Sequence, residues 1–425
     1  MQIQLKDVAH SYRTPAPTGT GIARWLGSGG AGTDQATDAS PALHTLDQTF
    51  TDGGAYALLG PSGCGKTTLL NIISGLVQPS SGRVYFGDTD VTDLATAGRN
   101  IAQMFQFPVI YDTMTVYENL AFPLRNRKET EQAVDARVRE IAAELELGEA
   151  LGRRAAGLGA AEKQIISLGR GLVRRDVAAM LLDEPLTVID PAQKWHLRRR
   201  LKALQQAHGI TTVYVTHDQL EALTFAETIL VMQAGRILQS GTPRELFENP
   251  AHPFVGYFIG SPGMNFLSCL HADGRLLYGT RVILGTDELP GATVVPGSTP
   301  QPTSAGGFDA GPCLLGIRPE YVRITHDENT PGVTGTVRSI HHRGADLLVR
   351  VRVDGHGDSD GAGQQDIQLL ARDDAIPAAG QPCRLYFPRE HIRLYPGARR
   401  PDLEPANAGA KSADAGVVAD HGGTP

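Results

Sequence analysis

Gly60-Pro61-Ser62-Gly63-Cys64-Gly65-Lys66-Thr67 has the form G-x-x-x-x-G-K-[ST] of a phosphate-binding loop. Apolar runs at residues 55–59 and 67–76 flank it and predict a buried strand, the loop and then a helix. The glycines let backbone N–H groups approach phosphate oxygens, and the helix adds the positive end of its dipole. We expect Lys66 to contact the β- and γ-phosphates and the Thr67 hydroxyl to ligate Mg²⁺. An ordinary glycine-rich turn does not need this residue set, so the sequence predicts a nucleoside triphosphate site.

The composition of the 425-residue chain fits a protein of two or three domains without a membrane span. No run of about 18 apolar residues occurs, and the first residues lack the layout of a signal peptide. Four scattered cysteines fit neither a metal site nor a disulfide framework, which favours a reducing cytosol. The net charge of −7 argues against general binding of nucleic acid.

Residues 1–240 alternate strand and helix patterns around the phosphate loop. Strand-like runs at residues 178–182, 211–216 and 228–232 are apolar on both faces, and helical apolar spacing occurs at residues 134–145 and 197–204. This alternation predicts an α/β fold, a doubly wound parallel sheet that carries a helical subdomain at about residues 101–170. Residues 14–41 lack apolar periodicity and are predicted to be a flexible insertion.

The helix predicted at residues 197–204 carries the basic residues Arg198, Arg199, Arg200 and Lys202, which are interpreted as its solvated side.

After a connector at residues 241–261, short alternating strands predict a small all-β domain at residues 262–396. Residues 397–425 have too few large apolar residues to bury and are predicted to be disordered.

Two other apolar strands deliver charged or titratable side chains to the edge where the phosphate loop is predicted. Asp183 and Glu184 end one strand, and His217 follows another. Asp183 is expected to hold Mg²⁺ through water, and Glu184 to polarise the attacking water. His217 is expected to hydrogen-bond the γ-phosphate or that water. The alternatives are that Asp183 and Glu184 are solvated acids at a strand end and that His217 has a structural role. The presence of the phosphate loop makes both alternatives less favourable.

Taken in order and spacing, the motifs resemble the ATPase subunits of ABC transporters. They are the phosphate loop, Gln106 in Met104-Phe105-Gln106, Asp183-Glu184, Asp190 in Ile189-Asp190-Pro191, and His217-Asp218-Gln219. The resemblance implies that ATP and Mg²⁺ bind, with Gln106 sensing Mg²⁺ and the membrane partner. It implies that Asp190 crosses a dimer interface and that Thr68 helps to bind the nucleotide. Tyr12 would stack on adenine, with a plain surface tyrosine as the alternative.

The C-terminal part resembles the OB-type regulatory domain of carbohydrate importers. The resemblance covers the junction at residues 258–267 and the segment Gly316-Ile317-Arg318-Pro319-Glu320, and residues 100–108 and 169–174 resemble the branch that imports glycerol or glycerol phosphate. It implies an ATP-hydrolysing subunit at the cytoplasmic face of the cell membrane that powers import of a small polyol or carbohydrate. Transmembrane permease subunits would be direct partners, and an extracytoplasmic solute-binding protein an indirect one.

One motif departs from the family. Its signature, normally Leu-Ser-Gly-Gly-Gln, aligns with Leu158-Gly159-Ala160-Ala161-Glu162. In the family this loop contacts the γ-phosphate held by a partner subunit. Here Gly159 lacks the serine hydroxyl, alanines replace the two glycines, and the Glu162 carboxylate would face a triphosphate. The site that this signature completes is therefore predicted to be weak. We therefore expect a second, non-identical ATPase subunit, with a homodimer as the alternative if backbone N–H groups suffice.

A soluble ABC-type ATPase that acts on nucleic acid or ribosomes through the OB-like domain is the alternative function. Such proteins usually carry two phosphate loops or a long coiled coil. This chain has one loop, no heptad run and an acidic balance, so we expect no nucleic-acid partner.

Overall fold

The computed structural model divides into two compact units between Met264 and Asn265. It describes residues 1–12, 41–279, 281–285, 293–294, 310–327, 330–354, 364–372 and 376–398. The insertion predicted at residues 14–41 lies outside this part of the chain except for residue 41, and the predicted tail lies outside it from residue 399 onward. None of the helices in the described ranges combines the length and apolar character that crossing a bilayer requires.

The first unit alternates strands and helices along the chain. Its strands are β1 (Ile3–His10), β2 (Leu43–Phe50), β3 (Ala55–Leu59), β4 (Ser81–Phe86), β5 (Thr89–Asp90), β6 (Ile101–Met104), β7 (Ala179–Asp183), β8 (Thr212–Thr216), β9 (Thr228–Gln233) and β10 (Arg236–Gly241). Its helices are α1 (Lys66–Ser74), α2 (Val116–Asn126), α3 (Glu131–Glu144), α4 (Ala160–Leu172), α5 (Pro191–His208), α6 (Gln219–Phe225), α7 (Pro243–Glu248) and α8 (Pro253–Phe258).

A six-stranded sheet forms the centre of this unit, in the order β10-β9-β3-β8-β7-β6. Its neighbours are parallel except for the antiparallel pair β9 and β10. Every residue of β3 and β8 is buried, as expected for strands covered on both faces. The α/β fold with a parallel sheet is confirmed, and the four strands predicted in it agree with the structure to within one residue at each end.

The two faces of the central sheet bury side chains in two separate cores. On one face Ala57 of β3 shares a core with helices α2 to α6, including Leu120, Val138 and Ile166. On the other face Leu58 of β3 packs with α1 and with an antiparallel sheet of order β2-β1-β4-β5. Sequence reasoning did not predict β2, β4 and β5, because these strands carry mixed polar patterns.

The basic residues of α5 differ from their interpretation as a solvated side. Arg198 is only 7% exposed, and the Nε and Nη2 atoms of Arg200 are buried without a hydrogen-bond partner. Burial lowers the pKa of Arg200, whose Nη1 lies 3.4 Å from Glu146 Oε2. The interpretation is wrong for these two residues, because Glu146, just after α3, lies against Arg200, and Arg198 is buried close to Tyr214 of β8. Arg199, in contrast, is exposed and lies over the Trp195 ring.

The second unit is built from β-strands in the part that the structure describes. They are β11 (Asn265–Ala272), β12 (Arg275–Tyr278), β13 (Arg281–Leu284), β14 (Thr293–Val294), β15 (Gly311–Ile317), β16 (Arg323–Thr325), β17 (Val333–Arg343), β18 (Asp346–Asp354), β19 (Gln364–Ala371), β20 (Pro382–Tyr386) and β21 (Arg393–Pro396). They form two sheets, β13-β12-β11-β15-β21-β14 and β16-β20-β17-β18-β19, around one apolar core. The predicted all-β C-terminal domain is confirmed.

Candidate functional site

The predicted site residues gather at one edge of the central sheet. Because β3, β6, β7 and β8 are parallel, their carboxyl ends lie at the same edge. The phosphate loop follows β3, Gln106 follows β6 by two residues, Asp183 ends β7, and His217 follows β8 directly. The topology alone therefore places residues that are far apart in the sequence around one cleft.

The phosphate loop has a backbone that only glycine accepts at several positions. Gly63 and Gly65 have φ angles of 77° and 103°, in the left-handed region that disfavours other residues. A Cβ at Gly60 would lie 2.2 Å from the carbonyl oxygen of Met232, and one at Gly65 would lie 2.6 Å from that of Ala42. The loop is thus held in its phosphate-binding shape by close backbone packing on both sides.

Lys66 is buried inside this loop. Its Nζ donates hydrogen bonds to the carbonyl oxygens of Gly60 at 2.8 Å and Pro61 at 2.9 Å. The Lys66 ammonium is therefore held in place beside the N-terminus of α1. A positive charge and a helix N-terminus within one loop attract phosphate groups. Burial raises the pKa of the neighbouring Cys64 thiol, which keeps it protonated and unreactive.

Asp183 and Thr67 meet beside the loop. The Thr67 hydroxyl donates to Asp183 Oδ1 at 3.3 Å. Burial raises the pKa of Asp183, the nearby Glu184 charge adds to the rise, and the Thr67 hydrogen bond opposes it. A hydroxyl and one carboxylate are oxygen ligands of the kind that Mg²⁺ uses together with phosphates and water. No group of three or more His, Cys, Asp or Glu side chains suited to a metal occurs in the described ranges.

Glu184 and His217 form a contacting pair at the same edge. His217 Nδ1 lies 3.1 Å from Glu184 Oε1, and the Thr187 hydroxyl donates to Glu184 Oε2 at 3.2 Å. Glu184 has a φ angle of 45°, an uncommon conformation for a residue other than glycine and one that costs about 1–3 kcal/mol. Sequence reasoning did not foresee the role of Thr187, although its position three residues after Glu184 in a turn was a usable signal.

Tyr12 lies next to the helix that follows the phosphate loop. Its hydroxyl is 3.2 Å from Thr68 Oγ1, and its ring packs edge-to-face on His10 at a centroid distance of 4.6 Å. The residue is 54% exposed. The structure thus brings Tyr12 and Thr68 together, with an aromatic face open beside the phosphate loop.

The remaining predicted residues lie at the beginnings of two helices. Asp190 caps α5 by accepting a hydrogen bond from the Ala192 N–H at 2.8 Å. Gly159 precedes α4, and its N–H donates to Glu162 Oε2 at 2.9 Å, while Arg153 lies 3.5 Å from the other carboxylate oxygen. Among the described residues no hydrogen bond or ion pair joins residues 158–162 to the phosphate loop of the same chain.

Comparisons with known proteins give the same assignment as the geometry. The family model "ABC transporter" matches residues 43–187, and the model "TOBE domain" matches residues 315–394. The trehalose/maltose import ATP-binding protein of Thermococcus litoralis is 40% identical over 74% of this chain and 85% of its own length. An sn-glycerol-3-phosphate import ATP-binding protein of Paracoccus denitrificans is 36% identical over 81% of this chain and 92% of its own.

An sn-glycerol-3-phosphate import ATP-binding protein of Psychromonas ingrahamii is 37% identical over 72% of this chain and 77% of its own length. The matches cover both the α/β unit and the β-rich unit, whose TOBE match agrees with the predicted OB-type fold. The fold, the phosphate loop and these relatives make the chain an ATPase that uses ATP as its substrate. It belongs to the ATP-binding subunits of the ABC transporter family.

Proposed function

We propose that this chain hydrolyses ATP to power a membrane importer of a small polyol or carbohydrate, with sn-glycerol 3-phosphate or glycerol as the first candidates. The observation that carries the proposal is the sheet edge at which Lys66, Asp183 and the Glu184–His217 pair meet. The solute class is supported by the relatives, whose names describe import of sn-glycerol 3-phosphate and of trehalose and maltose.

In this proposal Thr67, Asp183 and Gln106 hold Mg²⁺ beside the phosphates. The first two already share a hydrogen bond, and Gln106 is exposed on the loop that follows the adjacent strand β6. Mg²⁺ would neutralise charge on the β- and γ-phosphates. Lys66 binds the same phosphates from the loop side, and Tyr12 offers its open ring to the adenine base.

Glu184 is proposed as the residue that polarises the attacking water. Its carboxylate is held from two sides, by His217 and by Thr187, so its orientation is fixed before the nucleotide arrives. His217 is half exposed and would face the γ-phosphate or the water with the ring edge that does not bind Glu184. Both residues therefore act at one point of the cleft.

The loop after β6 is proposed as the surface that docks on the permease. Phe105, Phe107, Val109 and Tyr111 are all exposed there, although large apolar side chains are usually buried. The loop is nevertheless braced, because Arg170 donates to the Val109 carbonyl and lies 4.7 Å from the Tyr111 ring centroid. An apolar, supported loop that contains Gln106 can transmit a change at the nucleotide to a membrane subunit. The chain would thus sit peripherally at the cytoplasmic face of the membrane, with a solute-binding protein acting on the far side.

We further propose that the functional dimer contains a second, non-identical ATPase subunit. Gly159 offers no hydroxyl, Ala160 and Ala161 add methyl groups to the first turn of α4, and the Glu162 carboxylate already accepts the Gly159 N–H. A phosphate approaching this helix N-terminus would have to displace or repel that carboxylate. The chain's own phosphate loop and Glu184 would work against the partner's signature. Native mass spectrometry of the solubilised transporter should find two different ATPase subunits, and two identical copies would eliminate this pairing.

Reconstitution tests the proposed function as a whole. The chain is co-purified with the permease subunits encoded beside it and placed in proteoliposomes with the solute-binding protein. We expect sn-glycerol 3-phosphate or glycerol to stimulate ATP hydrolysis and the Glu184→Gln variant to abolish it. Stimulation by trehalose or maltose instead would reassign the solute. A hydrolysis rate that is the same with and without each solute and the permease would refute the importer function.

A further inference from the structure

A buried carboxylate lies behind the edge of the central sheet that carries the candidate site. Glu221 is in the first turn of α6 and is only 3% exposed. Its Oε2 accepts hydrogen bonds from the hydroxyl groups of Tyr214 at 3.0 Å and Thr216 at 2.8 Å. Its Oε1 lies 3.5 Å from Lys194 Nζ of α5. Burying a carboxylate is costly unless hydrogen bonds and an opposite charge offset the lost hydration, and Glu221 has both.

The Thr216 hydroxyl connects this carboxylate to the residues on both sides of His217. Thr216 ends β8 directly before His217, and its Oγ1 also accepts the Asp218 N–H at 3.0 Å. Asp218 in turn caps α6, and its Oδ1 accepts the Glu221 N–H at 3.3 Å. A closed set of hydrogen bonds that includes Glu221 therefore fixes the backbone on either side of His217.

The His217 side chain depends on this support for its position. It is 53% exposed, so packing alone does not hold it, yet its Nδ1 lies 3.1 Å from Glu184 Oε1. Misplacing a group that acts at the reacting centre by about 1 Å can lower a rate about 10²-fold. Residues that hold such a group therefore affect the rate without touching the nucleotide.

We propose that Glu221 is a positioning residue for His217 and acts through the Thr216 hydroxyl. This inference rests on the proposed role of His217 in ATP hydrolysis. The bond between Glu221 and Thr216 then affects kcat, whereas KM for ATP, which depends on the phosphate loop, does not change. The Tyr214 hydroxyl donates to the same oxygen but is not bonded to the residues beside His217. It contributes to stability and not to the rate.

Thr216→Val and Tyr214→Phe form a matched pair, because each removes one hydroxyl from the same carboxylate oxygen. The two residues are two positions apart in β8, face the same side of the sheet and are both buried. Burial and the Glu221 charge raise the pKa of Tyr214 well above its usual range, so its hydroxyl stays protonated and donates. Substitutions of Glu221 itself would leave two buried hydroxyls without their acceptor, and they are avoided for that reason.

The measurement is steady-state ATP hydrolysis by the purified full chain, together with its Tm. Both variants should lower Tm, because each loses a hydrogen bond to a buried carboxylate. Only Thr216→Val should lower kcat, by about tenfold to a hundredfold, with KM unchanged. Thr216→Ser keeps the hydroxyl and should retain the wild-type kcat.

Combining Thr216→Val with His217→Ala separates this inference from the proposed role of His217. A wild-type kcat in His217→Ala alone would refute that role and the inference with it. If His217→Ala lowers kcat, the double variant should have the same kcat as His217→Ala, because Thr216 acts only through His217.

Three results would overturn the positioning role of Glu221 and leave the proposed role of His217 intact. They are a wild-type kcat in Thr216→Val, an equal loss of kcat in Tyr214→Phe, and a further loss of kcat in the double variant. The last two would show that these hydroxyls act on the rate only by stabilising the fold.

Discussion

Replacing Gly159 by serine is the sharpest single test of the weak signature. Gly159 has φ −71° and ψ 165°, an extended conformation that every residue adopts. A Cβ there would have only Glu162 Oε2 nearby, at 3.7 Å, which is an ordinary van der Waals distance. Serine is therefore accommodated without strain, and its oxygen can accept the Glu162 N–H while its own hydrogen remains free to meet a phosphate.

Two effects of Gly159→Ser differ in expected magnitude. Exchanging a glycine cap for serine stabilises a helix by a few tenths of a kcal/mol, which raises Tm by about 1 °C in a unit of this size. One added charge-assisted hydrogen bond to the γ-phosphate stabilises the reacting complex by about 1.5–3 kcal/mol, or roughly tenfold to a hundredfold in rate. The effect on hydrolysis should thus far exceed the effect on stability.

The assay is steady-state ATP hydrolysis by the purified chain alone, in which this signature has to complete every site. Gly159→Ala is the matched control, because it adds the same Cβ without the hydroxyl and should not raise the rate. An unchanged rate in Gly159→Ser, in a protein that melts no lower than the wild type, would refute the argument that the missing hydroxyl weakens the site.

Three further substitutions test other parts of the site. Glu184→Gln should lower turnover by about 10²–10⁴-fold while ATP stays bound, as measured by single-turnover hydrolysis and nucleotide retention, and normal turnover would remove Glu184 from the chemistry. Asp183→Asn should abolish hydrolysis but raise the Tm of the nucleotide-free chain at pH 7.5, because burial raises the pKa of Asp183 and its ionised form costs stability above that pKa. That gain in Tm should shrink as the pH falls through the raised pKa, and a lower Tm at pH 7.5 would contradict the assigned cause. Phe107→Ser should weaken co-purification with the permease and leave hydrolysis by the isolated chain unchanged, because Phe107 is 67% exposed and belongs to neither apolar core of the first unit.

The sequence was sufficient for the parts of the fold that rest on strong local patterns. The phosphate loop needs glycine at fixed positions, and the strands around it are continuous apolar runs because helices cover both faces. From these the parallel sheet follows, and with it the common edge at which Asp183 and His217 meet. The all-β second unit followed in the same way from short alternating strands.

Features that depend on tertiary packing could not be read from local patterns. The burial of Arg200 depends on Glu146, which follows α3 about fifty residues earlier in the chain. The Glu162 carboxylate, expected to face a triphosphate, instead binds the Gly159 N–H and lies near Arg153, a contact set by the start of α4.

The most direct test of the account is the rate of ATP hydrolysis by the purified chain, first alone and then mixed with a second ATPase subunit that carries an intact Leu-Ser-Gly-Gly-Gln signature. We predict a low rate for the chain alone and a large increase in the mixture, which Glu184→Gln in this chain abolishes. Rapid hydrolysis by the chain alone, with no further increase in the mixture, would show that residues 158–162 are an adequate signature and would contradict the account.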